Sequence, residues 1–111
     1  MKVAVTGSRT IPHIPLAAYL PPDTTEIITG GAKGVDSAAE EYAKAHEIPL
    51  TVFLPDYARY RRGAPLKRNE QIAQACDLLL AFWDGKSRGT AHTIAQCRKR
   101  GKPVTIILCE P

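Results

Sequence analysis

Glu26–Leu54 reads EIITGGAKGVDSAAEEYAKAHEIPLTVFL. Glu26–Thr29 and Leu50–Leu54 are short apolar runs of strand composition. Between them Val35, Ala38, Ala39, Tyr42, Ala43 and His46 recur at i, i+3, i+4 and i+7, which predicts an amphipathic helix. Asp36, Ser37, Glu40 and Glu41 fall in its early, solvent-facing part, and Pro49 closes it. The glycine turn GGAKG, Gly30–Gly34, hands the first strand to the helix. Strand, helix and strand in this succession form a crossover unit, and crossovers of this kind join parallel strands.

The same alternation continues on both sides. Lys2–Thr6 (KVAVT) is a short buried strand. Pro12 and Pro15 delay the first helix to about Ile14 or Pro15, and Pro21, Pro22 and Asp23 end it. Asp56–Pro65 is a polar loop rich in arginine and tyrosine, and a helix follows from about Pro65 to Cys76 with Ile72, Ala73 and Cys76 facing inward. Asp77–Phe82 is a continuous apolar run, as in a central parallel strand. A helix from about Thr90 to Arg100 ends at Gly101, and Val104–Cys109 is the fifth strand. Five strands alternating with four helices predict an α/β fold, a parallel sheet covered on both faces, in one domain spanning 1–111.

Composition agrees with a compact domain. Of the 111 residues 44% are hydrophobic, which argues against disorder. The formal charge of +4 suits phosphate-bearing ligands and is too weak to establish nucleic-acid binding. Cys76, Cys97 and Cys109 are odd in number and lack CxxC spacing, which reads as a reduced, cytoplasmic chain without a structural disulfide. His13, His46 and His92 make no metal-ligand spacing with them, so neither metal nor cofactor is expected. The amino terminus leads straight into a strand without a signal peptide, and no apolar run reaches membrane-spanning length, so no membrane partner is expected.

Three glycine turns carry the functional signal: GSR at Gly7–Arg9, GGAKG at Gly30–Gly34 and GKSRGT at Gly85–Thr90. Each follows a strand and precedes a helix, where bare N–H groups and the helix dipole attract anions, phosphate above all. In the first, the Ser8 hydroxyl can bind phosphate and Arg9 can pair with it bidentately; an ordinary turn with an exposed arginine fits equally. The second lacks the GK[ST] of a P-loop and the spacing of a dinucleotide fingerprint. There Lys33 can reach a phosphate, and Asp36 either complements the helix dipole or accepts from a ribose hydroxyl or a base. In the third, Gly89 and Thr90 stand at a helix start, with Thr90 placed to cap and to bind phosphate and Lys86, Ser87 and Arg88 as further donors; a solvated loop is the bland alternative, and coincidence with the other two turns favours the functional reading. Because all three turns lie at strand carboxyl ends, they point to one pocket of nucleotide size.

Together GSR, TGGAKGVD, the PLKRN that opens the third helix, and FWDGKSRGT resemble the SLOG superfamily, which includes the DprA/Smf DNA-processing proteins and the LOG phosphoribohydrolases. The chain looks most similar to the small stand-alone YspA/YpsA-like branch, and the resemblance covers almost its whole length. It implies a Rossmann-like three-layer sandwich with strand order 3-2-1-4-5, a nucleotide or nucleotide-derived ligand, and a homodimer, since relatives commonly pair. It carries over to Gly7, Ser8, Arg9, Gly30, Gly31, Gly34, Asp36, Arg68, Asn69, Gly89 and Thr90; Lys33 joins them from the reading of its own loop. One position departs. The LOG reaction pairs an arginine with a glutamate; Arg68 stands at the arginine position, but Thr93 stands where the glutamate belongs. Threonine cannot steady oxocarbenium-like charge or activate water, which argues against N-glycosidic hydrolysis. Asp36, Glu70 and Asp84 are the carboxylates left to substitute.

Outside the turns, Asp56–Asn69 (DYARYRRGAPLKRN) alternates aromatic and basic residues. Tyr57 and Tyr60 can stack on a base while Arg59, Arg61 and Arg62 hold phosphates, which admits single-stranded DNA as a partner; a solvated flap is the plainer reading for Arg61 and Arg62. Trp83 reads as core, His92 as a partly exposed histidine, and Arg98, Lys99, Arg100 and Lys102 as a solvated helix end.

Overall fold

In a computed structural model that describes residues 1–11 and 13–109, five strands form one all-parallel sheet: β1 (Lys2–Gly7), β2 (Glu26–Thr29), β3 (Leu50–Val52), β4 (Leu78–Trp83) and β5 (Val104–Leu108). The order is β3-β2-β1-β4-β5, the one the family resemblance implies. The helices are α1 (Leu16–Tyr19), α2 (Val35–Ala45), α3 (Tyr57–Tyr60), α4 (Ala64–Ala75) and α5 (Arg88–Lys99). Between α3 and α4 runs a single 3-10 turn over Arg61–Gly63.

The sheet is buried on both faces, and the two-residue period of each strand splits its apolar side chains between two cores. Val3, Val5, Ile27, Leu80 and Phe82 pack with Leu16 of α1 and with Val35, Ala39 and Ala43 of α2. Ala4, Ile28, Leu79 and Ala81 pack on the other side with Ile72 and Ala73 of α4 and with Ile94 and Cys97 of α5. The cysteines at 76 and 97 are buried in that second core and Cys109 is half-buried; all three are free thiols.

Register and topology place the site. β1 pairs with β2 from Lys2↔Glu26 and with β4 from Val3↔Leu78 to Gly7↔Phe82. After β1 the chain winds toward β3; after β3 it returns past β1 to build β4 and β5. The connections leaving β1 and β4 therefore part to opposite faces, and a crevice opens between their carboxyl ends. The Ser8 N–H donates to the Phe82 carbonyl (3.1 Å), which continues the pairing into the loop.

Gly34 shows why a turn needs glycine here. Its φ is +75° with ψ −118°, a combination strained for any residue with a Cβ. A Cβ at that position would stand 2.6 Å from the Arg9 carbonyl oxygen and 2.7 Å from that of Ser8. Gly34→Ala is expected to cost about 1–3 kcal/mol of folding stability from backbone conformation alone. A urea melt of the variant against wild type measures it.

Several local readings change. The polar Asp56–Pro65 segment contains α3, because the Asp56 carboxylate caps it by accepting from the Arg59 N–H (3.1 Å). Asp36 and Glu40 do not face solvent. Asp36 is buried, and Glu40 is half-buried and accepts from the Thr29 hydroxyl (3.0 Å). His46 lies beyond the apolar stripe and is exposed. Lys102 belongs to the end of another helix. Its ammonium donates to the carbonyls of Gln74 (3.2 Å) and Cys76 (2.6 Å), closing the C-terminal end of α4 while its backbone N–H donates to Cys97 of α5 (2.9 Å).

Candidate functional site

The crevice at the carboxyl ends of β1, β2 and β4 is a cleft of about 310 Å³. It is lined by Thr6, Gly7, Ser8, Arg9 and Thr10 after β1, by Gly30, Ala32 and Asp36 after β2, by Arg68, Asn69 and Ile72 of α4, and by Asp84, Ser87, Gly89 and Thr90 after β4. Nine of the residues singled out from the sequence meet there: Gly7, Ser8, Arg9, Gly30, Asp36, Arg68, Asn69, Gly89 and Thr90. Gly31, Lys33 and Gly34 do not line it. Gly31 lies against Leu54 and Val52, Lys33 is exposed, and Gly34 packs under the Ser8–Arg9 backbone.

Asp36 organises the second loop. Its Oδ2 accepts the N–H groups of Gly30 (3.0 Å) and Ala32 (3.2 Å), so the side chain is the anion that this glycine turn holds. Among the described residues no buried side-chain oxygen or nitrogen lacks a partner. Asp36 Oδ1 has no hydrogen bond among the described residues, so it keeps some exposure, and Asp36 lines the cleft. Burial pushes the carboxyl above its ordinary value, against the two N–H bonds and the Arg68 charge, which pull it down.

Arg68 stands opposite. One terminal nitrogen, Nη1, donates to the Gly30 carbonyl, and Nε donates to Asn69 Oδ1 (2.9 Å). The second terminal nitrogen has no partner among the described residues. That bond fixes the Asn69 amide, whose Nδ2 lies 3.1 Å from His92 Nδ1. His92 is thus half-buried and tied to the site through Asn69, rather than solvated. Burial pushes the Arg68 guanidinium below its ordinary value, Asp36 and Tyr57 pull it back up, and the like charge of Arg9 depresses it further. It remains a cation at physiological pH, and an anion between two guanidiniums would relieve their repulsion.

The third loop differs most from expectation. Asp84 Oδ1 accepts the N–H groups of Lys86 and Ser87 (both 2.8 Å), and Oδ2 accepts from the Ser87 hydroxyl (3.2 Å). These bonds, the two backbone ones foremost, hold the Asp84 carboxyl down at about 2, so it stays ionised. The buried Ser8 hydroxyl accepts from the Asp84 N–H (3.1 Å) and lies 2.9 Å from Ser87 Oγ. It cross-links the loops after β1 and β4. Among the described residues Ser87 supplies no side-chain cap to the first turn of α5, whose opening N–H groups have no intrahelical acceptor. Gly89 and Thr90 line the cleft at this positive helix end, and the Thr90 hydroxyl has no hydrogen bond among the described residues. Thr93, in contrast, is buried and donates to the Gly89 carbonyl (3.1 Å), outside the lining.

The roles of Asp84 and Ser87 are what the sequence reading missed. An aspartate three residues before a serine, ahead of a helix, is the pattern of an Asx turn, and that spacing was the available signal. Trp83 is only half-buried, its indole N–H donating to the Ser87 carbonyl (3.0 Å).

Residues 1–60 match the model of the YspA, cpYpsA-related SLOG family. The chain belongs to that family. This SLOG chain is also 30% identical over 84 residues to the Gene 61 protein of Mycobacterium phage D29, an alignment covering 70% of this chain and 67% of the phage protein. Its fold is similar to that of DNA processing protein A (DprA) from Streptococcus pneumoniae, with a TM-score of 0.75 at 20% identity. That match covers 98% of this chain, which spans half the length of the solved one. Among the described residues no helix is long and apolar enough to cross a membrane, and no group of three or more His, Cys, Asp or Glu side chains is placed to hold a metal ion.

Proposed function

We propose that this SLOG domain, taken as one unit over 1–111, binds a nucleotide or nucleotide-derived phosphate compound in the cleft. The observation that carries the reading is that Arg9 and Arg68, from different elements, line one cleft with the uncapped start of α5. The phosphate is assigned to the Gly89–Thr90 end, between the two guanidiniums. The GGAKG turn is not its seat, because Asp36 already takes the N–H groups of Gly30 and Ala32. The accessible Asp36 oxygen is left to accept from a sugar hydroxyl or a base. Calorimetry with AMP, GMP, CMP, UMP, ribose 5-phosphate and inorganic phosphate tests this. Binding of at least one nucleotide, weakening as salt rises, is expected; no heat from any of them at millimolar concentration contradicts it.

Phosphoribohydrolase activity is not expected, because Thr93 is buried on a helix carbonyl and the two carboxylates that line the cleft, Asp36 and Asp84, are each engaged by two loop N–H groups. Incubation with AMP should release no adenine. Single-stranded DNA is a second reading, favoured by the exposed Arg59, Arg61 and Arg62 ahead of the helix that carries Arg68. It predicts a gel shift that weakens steeply with salt. A homodimer through the unpaired outer edge of β5, where Leu108 is 74% exposed, completes the proposal; light scattering should return the mass of two chains.

A further inference from the structure

We infer that the base of the bound nucleotide lies outside the cleft, on an apolar shelf made by Val52, Leu54 and Tyr57 beside Gly31. The inference rests on the cleft being the phosphate and sugar site. A volume of about 310 Å³ is at the small end for a ligand pocket, where roughly 300–1,000 Å³ is usual. The lining offers no aromatic ring and only one large apolar side chain, Ile72, itself buried. A purine therefore has no aromatic ring to stack on inside.

The rim offers an open ring on one side, at Tyr57. Val52, Leu54 and Tyr57 are three of the seven large hydrophobic side chains exposed among the described residues, with Leu54 at 65% and Tyr57 at 60%. The loop that lines the cleft at Gly30 lies flat on this group at Gly31. A Cβ there would stand 2.5 Å from Leu54 Cδ2 and 3.1 Å from Val52 Cγ1. Cleft and shelf are thus one residue apart on one loop. Arg68, bonded to the Gly30 carbonyl, links them again, since Tyr57 stands near enough to act on its charge. The two tyrosines of the segment are not equivalent. The Tyr60 ring carries Arg59 (5.2 Å) and Lys67 (5.7 Å), whereas among the described residues no cation or aromatic ring stacks on the face of Tyr57. The other nearby aromatic, Trp83, lines a separate groove with Ile94 and Ile106 against α5.

Base stacking contributes roughly 5- to 150-fold in affinity. Wild type should therefore bind AMP more tightly than ribose 5-phosphate by a factor in that range, and AMP more tightly than CMP. The Leu54→Ser, Tyr57→Ala double variant should lose the AMP advantage and keep its affinity for ribose 5-phosphate. Tyr57→Phe, which keeps the ring, should keep the advantage. Equal binding of AMP and ribose 5-phosphate by wild type, an AMP advantage that survives the double variant, or its loss in Tyr57→Phe would each overturn the shelf while leaving the cleft standing. If neither AMP nor ribose 5-phosphate binds, the cleft reading fails and the shelf with it.

Discussion

Arg68→Ala is expected to weaken AMP binding by roughly 10- to 100-fold, the scale of losing charge-assisted hydrogen bonds to phosphate. Arg68→Lys should recover little. A lysine cannot donate at once to the Gly30 carbonyl, to Asn69 and to an anion in the fixed fork that Arg68 presents. Arg9→Ala separates charge from scaffold. Arg9 is exposed, so its removal should weaken binding less, with a smaller salt dependence and an unchanged thermal midpoint. Calorimetric titrations of the three variants at two salt concentrations check this. Equal affinities throughout would remove both arginines from the site.

Asp36→Ala is expected to lower the free energy of unfolding by about 2 kcal/mol or more, because two loop N–H groups lose their acceptor. Asp36→Asn should do far less damage, since an amide oxygen can take the Oδ2 position. The pH dependence distinguishes them further. Burial holds the Asp36 carboxyl above 3.8, so the folded chain keeps that proton to higher pH than the unfolded chain. Above pH 3.8 the native state then binds more protons, and stability falls as pH rises through the folded value. Asparagine has no such proton. The stability of wild type relative to Asp36→Asn should therefore decline from acid toward neutral pH in denaturant melts. A flat or rising difference would show that the two N–H bonds outweigh burial.

Much of this was legible in the sequence, for particular reasons. The β-branched runs and the stripe of Val35, Ala39 and Ala43 point to the strands, to α2 and to a parallel sheet, because a buried parallel sheet leaves few choices of pattern; the sheet order came from the family resemblance. The glycines and Arg68 pointed to the crevice because turns and helix starts are local features. Asp36 was harder. A carboxylate early in a helix reads as solvated, and only the positions of the Gly30 and Ala32 N–H groups show that it is buried. Lys102 reads as part of its own helix end, yet its partners are carbonyls of α4, a contact set by tertiary packing. Tyr57 and Tyr60 are alike in sequence, and only the placement of Arg59 and Lys67 separates a covered ring from an open one.

The central claim is that the loops after β1 and β4, together with Arg68 of α4, make one anion seat at the start of α5. A crystal structure of the protein grown with saturating AMP tests it most directly. The phosphate should lie between the guanidiniums of Arg9 and Arg68, within hydrogen-bond distance of the Thr90 hydroxyl. A cleft empty of nucleotide, or a phosphate bound on another face, would contradict the account.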